Sequence, residues 1–422
     1  MAVSFRAAAL AAVASSLCCA AAAQAPRPLS LAEALQKASH AHPRLFIADR
    51  DIAIAEARRL QAGVRPNPQL SLEIDNAFGS GGYRWLRAAE ATLQLSQVFE
   101  LGGKRDARVA VAAAEHDAAR HQLAAARLEL LAETTTAFVA VAGAQRRALV
   151  LDRQLAALDR LTPLLRQRVE AGASSEADAA RAQVAIDLAR IDRDRARTAA
   201  AGARRDLASF MGLAQPDFTV VAGDLDRLAR PPGFAAVLAA IDGNPQLTRW
   251  TAIRAQRDAE ILAARLKPTP DLQLGVGLRH YRDSGSVAAR LGVSVPIPVW
   301  DRNAGGVAEA RETAAKAAGE RDQARLALTA TAGRAVDAMA GALQELDTLR
   351  RAVLPNARKA LAAVEASYAQ GRLPLLDLLE SYRTLAEAEL REVEALAAYH
   401  TAVATIEGLT GGLSTPSGRS AP

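Results

Sequence analysis

The chain has 422 residues, half of them hydrophobic and only 4% aromatic, with a net charge of +6. The basic excess permits nucleic-acid binding, but 52 Lys and Arg stand among 46 Asp and Glu along helical stretches, a pattern of solvated helix faces. Both cysteines, Cys18 and Cys19, lie near the start, so the chain beyond them excludes a disulfide, a thiolate metal site and a cysteine nucleophile. Arg6 precedes an apolar run from Ala7 to Ala23, and Ala23-Gln24-Ala25 fits a small-x-small cleavage site. A secretory signal peptide over 1–25 is predicted, with the mature chain starting near Pro26. Ser15, Ser16 and Leu17 fit a lipoprotein box poorly, so no lipid anchor is expected. No later apolar stretch reaches the ~20 residues of a spanning helix. Such an exported chain is periplasmic, secreted, or an outer-membrane β-barrel.

The chain repeats itself. The segment starting at His42 (HPRLFIADRD) returns at Asn244 (NPQLTRWTAI), with Pro43 aligned to Pro245, Pro66 to Pro268 and Pro68 to Pro270. Two tandem units are expected, 26–213 and 233–411, joined by an inter-repeat segment over 214–232 that adds to a belt, and followed by a flexible tail over 412–422. Each unit starts with a helix, Pro43–Gly63 and Pro245–Leu266, stopped by a Pro-x-Pro pair.

Alternating segments follow, predicting strands over 69–77 and 90–98 in the first unit and over 271–280 and 287–296 in the second. Long stretches without proline come next, Lys104–Thr162 and Ala304–Leu354, each continuing past Pro163 or Pro355 toward Gly172 or Gly371. A helix then returns to about Met211 and Leu409. Such lengths predict coiled-coil hairpins packed through Ala and Leu.

Two readings of the strands compete. One is a small soluble antiparallel sheet on helices. The other is a membrane barrel, favoured by the export signal and by aromatics at the strand ends: Phe78, Tyr83, Trp85 and Tyr281 at one end, Phe99 and Trp300 at the other. Four strands cannot close a barrel, so it must be shared between chains, and three copies would supply twelve strands. The fold class expected is therefore mixed: all-α hairpins plus a membrane β-barrel.

Gln97-Val-Phe-Glu-Leu-Gly-Gly-Lys-Arg-Asp106 superficially suggests a phosphate loop. Such a loop needs glycine where Val98 stands and a hydroxyl where Arg105 stands, which argues against nucleotide binding. Gly102 and Gly103 instead let the chain turn from strand into helix. Phe99, Lys104 and Arg105 then mark a membrane-interface junction, matched in the second unit by Trp300 and Arg302. At the far ends, Gly172 and Gly371 end helices, and Ser175 with Asp178 forms an acidic capping box. Asp377 and Glu380 share a helix face. The histidines stand in no metal-ligand pattern: His40 and His42 are two apart and His116 and His121 five apart. No cofactor, metal site or catalytic motif is expected.

The repeated strand pair with its long hairpin, with VFELGGKR after one strand and VPIPVWDRNAGGVAEAR at the matching place, resembles the TolC-like outer-membrane efflux family over residues 29–411. More narrowly, those two segments resemble the outer-membrane components of Czc-type heavy-metal resistance pumps. The resemblance implies a homotrimer forming a twelve-stranded barrel in outer-membrane lipid, continuous with a periplasmic α-helical tunnel. It implies an exit duct rather than an enzyme, exporting heavy-metal cations. The partners implied are a periplasmic adaptor and an inner-membrane, proton-driven RND-type transporter, with no nucleic acid. It places the adaptor at tips formed by Gly172, Ser175, Asp178, Gly371 and Leu373, and a periplasmic entrance gate at Asp377 and Glu380. Two rival readings remain: a drug or general-solute duct of the same fold, and a periplasmic coiled-coil scaffold without a pore.

Overall fold

The structure is a computed structural model that describes residues 28–172, 174–230 and 232–412. The expected signal peptide, with Cys18 and Cys19, lies outside the described residues, as does the expected tail beyond Gly412.

The first half starts with β1 (Leu29–Ser30), α1 (Leu31–Ala41) and α2 (Pro43–Ala62). It continues through β2 (Gln69–Asp75), β3 (Glu90–Phe99), α3 (Lys104–Asp159), α4 (Leu161–Glu170) and α5 (Glu176–Phe210). After β4 (Val221–Ala222) and α6 (Phe234–Ile241), the second half follows the same order. Its elements are α7 (Pro245–Leu266), β5 (Leu272–Tyr281), β6 (Val287–Ser294), α8 (Ala304–Thr348), a π turn (Leu349–Val353), α9 (Leu354–Ala369) and α10 (Leu375–Thr410). At ~1.5 Å per residue, α3 alone runs about 85 Å.

The helices form one layer. α2 and α5 both flank α3, and α7 and α10 both lie between α3 and α8. Their ends meet: Gly212 after α5 abuts Ala41 just ahead of α2, and Asn244 at the start of α7 bonds the Leu409 carbonyl of α10. The main core sits where they meet. Leu207, Met211, Ile241, Leu396 and Tyr399 are buried there with Phe218, Val221 and Leu225 of the inter-repeat segment. That segment is strapped down: the Tyr399 hydroxyl donates to the Ala229 carbonyl at 2.8 Å and accepts from its N–H at 2.7 Å. β4 pairs with β1, and Asp226 bonds Arg146 at 2.6 Å and also Arg350. The hydrogen bond from Arg146, first, and that from Arg350 hold the Asp226 carboxyl below the usual carboxylate range.

Several boundaries differ from expectation. β2 stops at Asp75 because Asn76 takes a φ of 56°, which breaks the pleat. β6 stops at Ser294, before Pro296, which has no N–H for a ladder. α3 ends at Asp159, not Thr162, because Pro163 cannot donate to the Asp159 carbonyl. α8 gives way to the π turn before Pro355, with the Leu354 N–H reaching back five residues to the Leu349 carbonyl. Helix α1 was not expected, although Ser30 and Glu33 form a complete capping box that marks its start.

Candidate functional site

The four longer strands form one antiparallel sheet in the order β2-β3-β5-β6. The register puts Leu70, Leu72, Leu93, Leu95, Val276 and Leu291 on one face. Alternation sends Ser71, Glu73, Thr92, Gln94, Arg279 and Arg290 to the other. On the apolar face Leu70, Leu291 and Val293 are 70%, 85% and 71% exposed. On the polar face Thr92 and Ser96 are buried.

One contact decides the curvature. Arg290 of β6 lies 3.8 Å from Glu73 of β2, although β3 and β5 separate them. Three strand spacings of about 4.8 Å amount to roughly 14 Å of sheet. Side chains from two edges meet only if the sheet curls toward their face. The polar face is therefore concave and the apolar face convex. Both edges, β2 and β6, lack an outer strand partner among the described residues. Phe78, Tyr83, Trp85 and Tyr281 stand at one end of the sheet, Phe99 and Trp300 at the other.

At the second end the strands hand over to the helices. Gly102 and Gly103 have φ of 69° and 76°, the left-handed region where a side chain is strained. A Cβ at Gly102 would also meet the Thr269 side chain at 2.6 Å. Past this turn, Lys104 bonds Asp271 at 2.8 Å, and Asp271 accepts the Leu101 N–H. Arg108 reaches back to Glu100 at 3.0 Å, and that hydrogen bond holds the Glu100 carboxyl below its usual range. Arg105 is half-buried, Phe99 is 45% exposed, and Trp300, Arg302 and Ile297 are exposed. Asp271 of the second half thus holds Lys104 and the Leu101 N–H of the first, while Trp300 and Arg302 stand exposed.

The far tips also come together. Gly172 and Gly371 end their helices with φ of 70° and 72°. Arg168 donates to the Tyr368 carbonyl at 3.0 Å and stacks on its ring, tying one tip to the other. Leu373 is half-buried, while Leu375 and Leu378 of α10 are buried. Ser175 and Asp178 complete a capping box, with Ser175 Oγ 2.9 Å from the Asp178 carboxylate.

The matching positions in the second half lie 199 residues on: Pro374 for Ser175, and Asp377 for Asp178. Proline has neither the hydroxyl nor the N–H that a box needs, and no side-chain bond caps α10. The Asp377 carboxylate is left exposed, with no ion-pair partner among the described residues. Glu380 is exposed too, but it is clamped by Arg383 at 2.7 Å, and that bond lowers its pKa. Of the two gate residues expected, one is free and one is paired.

Residues 34–213 and 237–412 match the family described as outer membrane efflux protein. The chain belongs to the outer membrane efflux family. It is 29% identical over 388 residues to the cobalt-zinc-cadmium resistance protein CzcC of Cupriavidus metallidurans, covering 92% of this chain and 91% of the relative. It is 26% identical to the nickel-cobalt-cadmium resistance protein NccC of Alcaligenes xylosoxydans xylosoxydans, covering 72% of this chain and 69% of the relative. Its fold is similar to that of a membrane protein from Pseudomonas aeruginosa, with TM-score 0.78 and 21% identity over 90% of this chain and 92% of that one. It is also similar to the outer-membrane channel OprN, with TM-score 0.76 and 20% identity over 91% and 90%.

In this outer membrane efflux protein no described helix is long and apolar enough to cross a membrane. Among the described residues no group of three or more His, Cys, Asp or Glu could hold a metal ion. Sequence reasoning missed two polar devices. Asn244 caps α7 by accepting the Gln246 N–H at 2.8 Å, and its amide donates to the Leu409 carbonyl at 2.9 Å, at the end of α10. The Asn-Pro start was a visible cap signal, but nothing local pointed to Leu409. Arg279 lies on the concave face among Glu90, Asp75 and Thr92, a set that only strand register assembles.

Proposed function

We propose that three copies of this chain form the exit duct of a tripartite efflux system that exports heavy-metal cations. The observation that carries the reading is the curled sheet. Its convex face is apolar and exposed, its concave face is polar, and both edges are open. Three such sheets joined edge to edge make twelve strands, with the apolar face toward outer-membrane lipid and the polar face lining water. The helical layer continues as the tunnel wall into the periplasm, with units 26–213 and 233–411 repeated around it and the segment 214–232 as part of a belt. Phe99, Trp300, Lys104, Arg105 and Arg302 stand at the membrane boundary, turned by Gly102 and Gly103.

The paired tips at Gly172, Ser175, Asp178, Gly371 and Leu373 offer a docking edge for the helical hairpin of a periplasmic adaptor. That adaptor links the duct to a proton-driven RND-type pump in the inner membrane. Asp377 gives the entrance its free negative charge, one carboxylate from each protomer, while Glu380 is held by Arg383. The cargo reading rests on the metal-resistance relatives.

The metal content of a deletion strain, compared with its parent under graded zinc, cadmium, cobalt, nickel, copper and silver, tests it. Raised accumulation of one or more ions, reversed by the restored gene, is expected. Unchanged accumulation of all six would overturn the cargo. Carbonate extraction tests the barrel separately, since a scaffold washes off membranes and a barrel stays. Asp377→Asn should lower the cation preference of channels in a planar bilayer, and an unchanged preference would remove Asp377 from the gate.

A further inference from the structure

The concave face carries most of its charge at one end. Glu73, Asp75, Glu90 and Arg279 lie in the half of the sheet away from the helices, Arg290 stands at mid-sheet level with Ser71 and Gln94 and reaches Glu73, and Gln69, Ser96 and Gln273 line the half beside the helices. Arg279 stands at the centre. Its Nη1 donates to Glu90 at 2.9 Å, its Nη2 to Asp75 at 3.4 Å and its Nε to the Thr92 hydroxyl at 2.8 Å. The Arg279 side chain is only 25% exposed. Two carboxylates and a hydroxyl converging from two strands, β2 and β3, are the oxygen donors that a divalent cation takes. The position between them is filled by the protein's own cation.

We propose that Arg279 is a built-in occupant that keeps exported metal from lodging at the duct's exit. This rests on the barrel reading, in which the concave face lines the lumen. A conduit conducts only if its cargo is held weakly enough to leave. On the strands of this face Arg279 and Arg290 stand against Glu73, Asp75 and Glu90, so the acids are largely neutralised from within the sheet. Because Arg279 ties Asp75 and Glu90 together, those carboxylates cannot close around a metal. Arg290 does the same for Glu73 from across the sheet. Remove Arg279, and the exit becomes a binding site that plugs the pore.

The test is conductance of the purified full-length protein in planar bilayers in KCl, with zinc or cadmium titrated into the chamber facing the barrel. Wild type should conduct with little block. Arg279→Gln should be half-blocked at a metal concentration at least about tenfold lower. Adding Asp75→Asn and Glu90→Gln to Arg279→Gln should relieve the block, and Arg279→Lys should remain open. Should Arg279→Gln fail to assemble, Arg279→Ser empties the same position with a smaller side chain. Equal block of wild type and the emptied variants overturns the role of Arg279, as does block that persists without the two carboxylates. Wild type that forms no channel overturns the barrel reading instead.

Discussion

The two halves of the chain build the same elements, yet they solve the same joints with different chemistry. Where α5 meets α1 and α2, Gly212 turns with a φ of 74° and presses against the Ala41 carbonyl, so close that a Cβ would stand 2.7 Å from it. Its counterpart Gly411 has nearly the same φ, 76°, but open space around it. There Asn244 makes the joint, bonding α10 and α7 at once. The position of Asn244 in the first half is held by His42, which caps α2 through the Arg44 N–H at 3.1 Å. At the tips the first half locks its acid into a capping box, and the second half, with Pro374, leaves it free. Duplication thus conserves the layout, while single residues at the joints and tips divide the work. The first half holds its tip together, and the second exposes a charge.

The joints give the strongest way to break this comparison. Gly212→Ala forces a side chain into the left-handed region and into backbone, and should destabilise the protein by about 3 kcal/mol. Gly411→Ala meets only the conformational penalty, about 1 kcal/mol. Thermal unfolding in detergent followed by circular dichroism should separate the two, and equal losses would mean the joints are alike after all.

Asn244→Ala removes a cap and strands the Leu409 carbonyl, for about 2 kcal/mol. His42→Ala removes a cap alone, about 1 kcal/mol. The same melts decide between them, with His42→Asn expected to retain the cap.

The tips can be made alike. Pro374→Ser restores the box partner for Asp377 and should stabilise the tip by about 1 kcal/mol, the amount Ser175→Ala should remove from the other. By engaging Asp377 it should also weaken the cation preference of the channel. A more stable tip with unchanged preference would separate the cap from the gate.

The smallest effect is with acid. Burial, then the neighbouring Arg44, holds the His42 imidazole below its ordinary range, with Glu133 pulling the other way. A lowered value means that folding favours the neutral ring. Its contribution is complete above the ordinary imidazole range, around pH 6.5, and is lost as pH falls through the lowered value. His42→Asn should therefore lose less stability than wild type on acidification. Equal losses at acidic pH would show that the cap does not titrate.

Much of this layout was readable along the chain, because period and punctuation are local. Alternation placed all four strands to within two residues, Pro-x-Pro ended α2 and α7, and Ser175 with Asp178 announced its own cap. The errors are local too: Asn76 cut β2 short, and Pro163 and Pro355 altered the turns before them. The short pieces β1, β4 and α6 escaped notice because two or eight residues carry little periodicity.

What the sequence determined by itself was the repeat, the strand faces and the helix ends, each set by residues at most a few positions apart. What only the tertiary structure decided was which distant groups meet. Arg290 had to reach Glu73 across two strands before the polar face could be known as the concave one. Asn244 had to find Leu409, 165 residues away, before two helices became one strut. Arg279 had to be set by strand register among acids about 190 to 200 residues earlier in the chain. Polar side chains reach only a few ångströms, so their partners are chosen by the packing of apolar faces, and that packing exists only once the whole chain has folded.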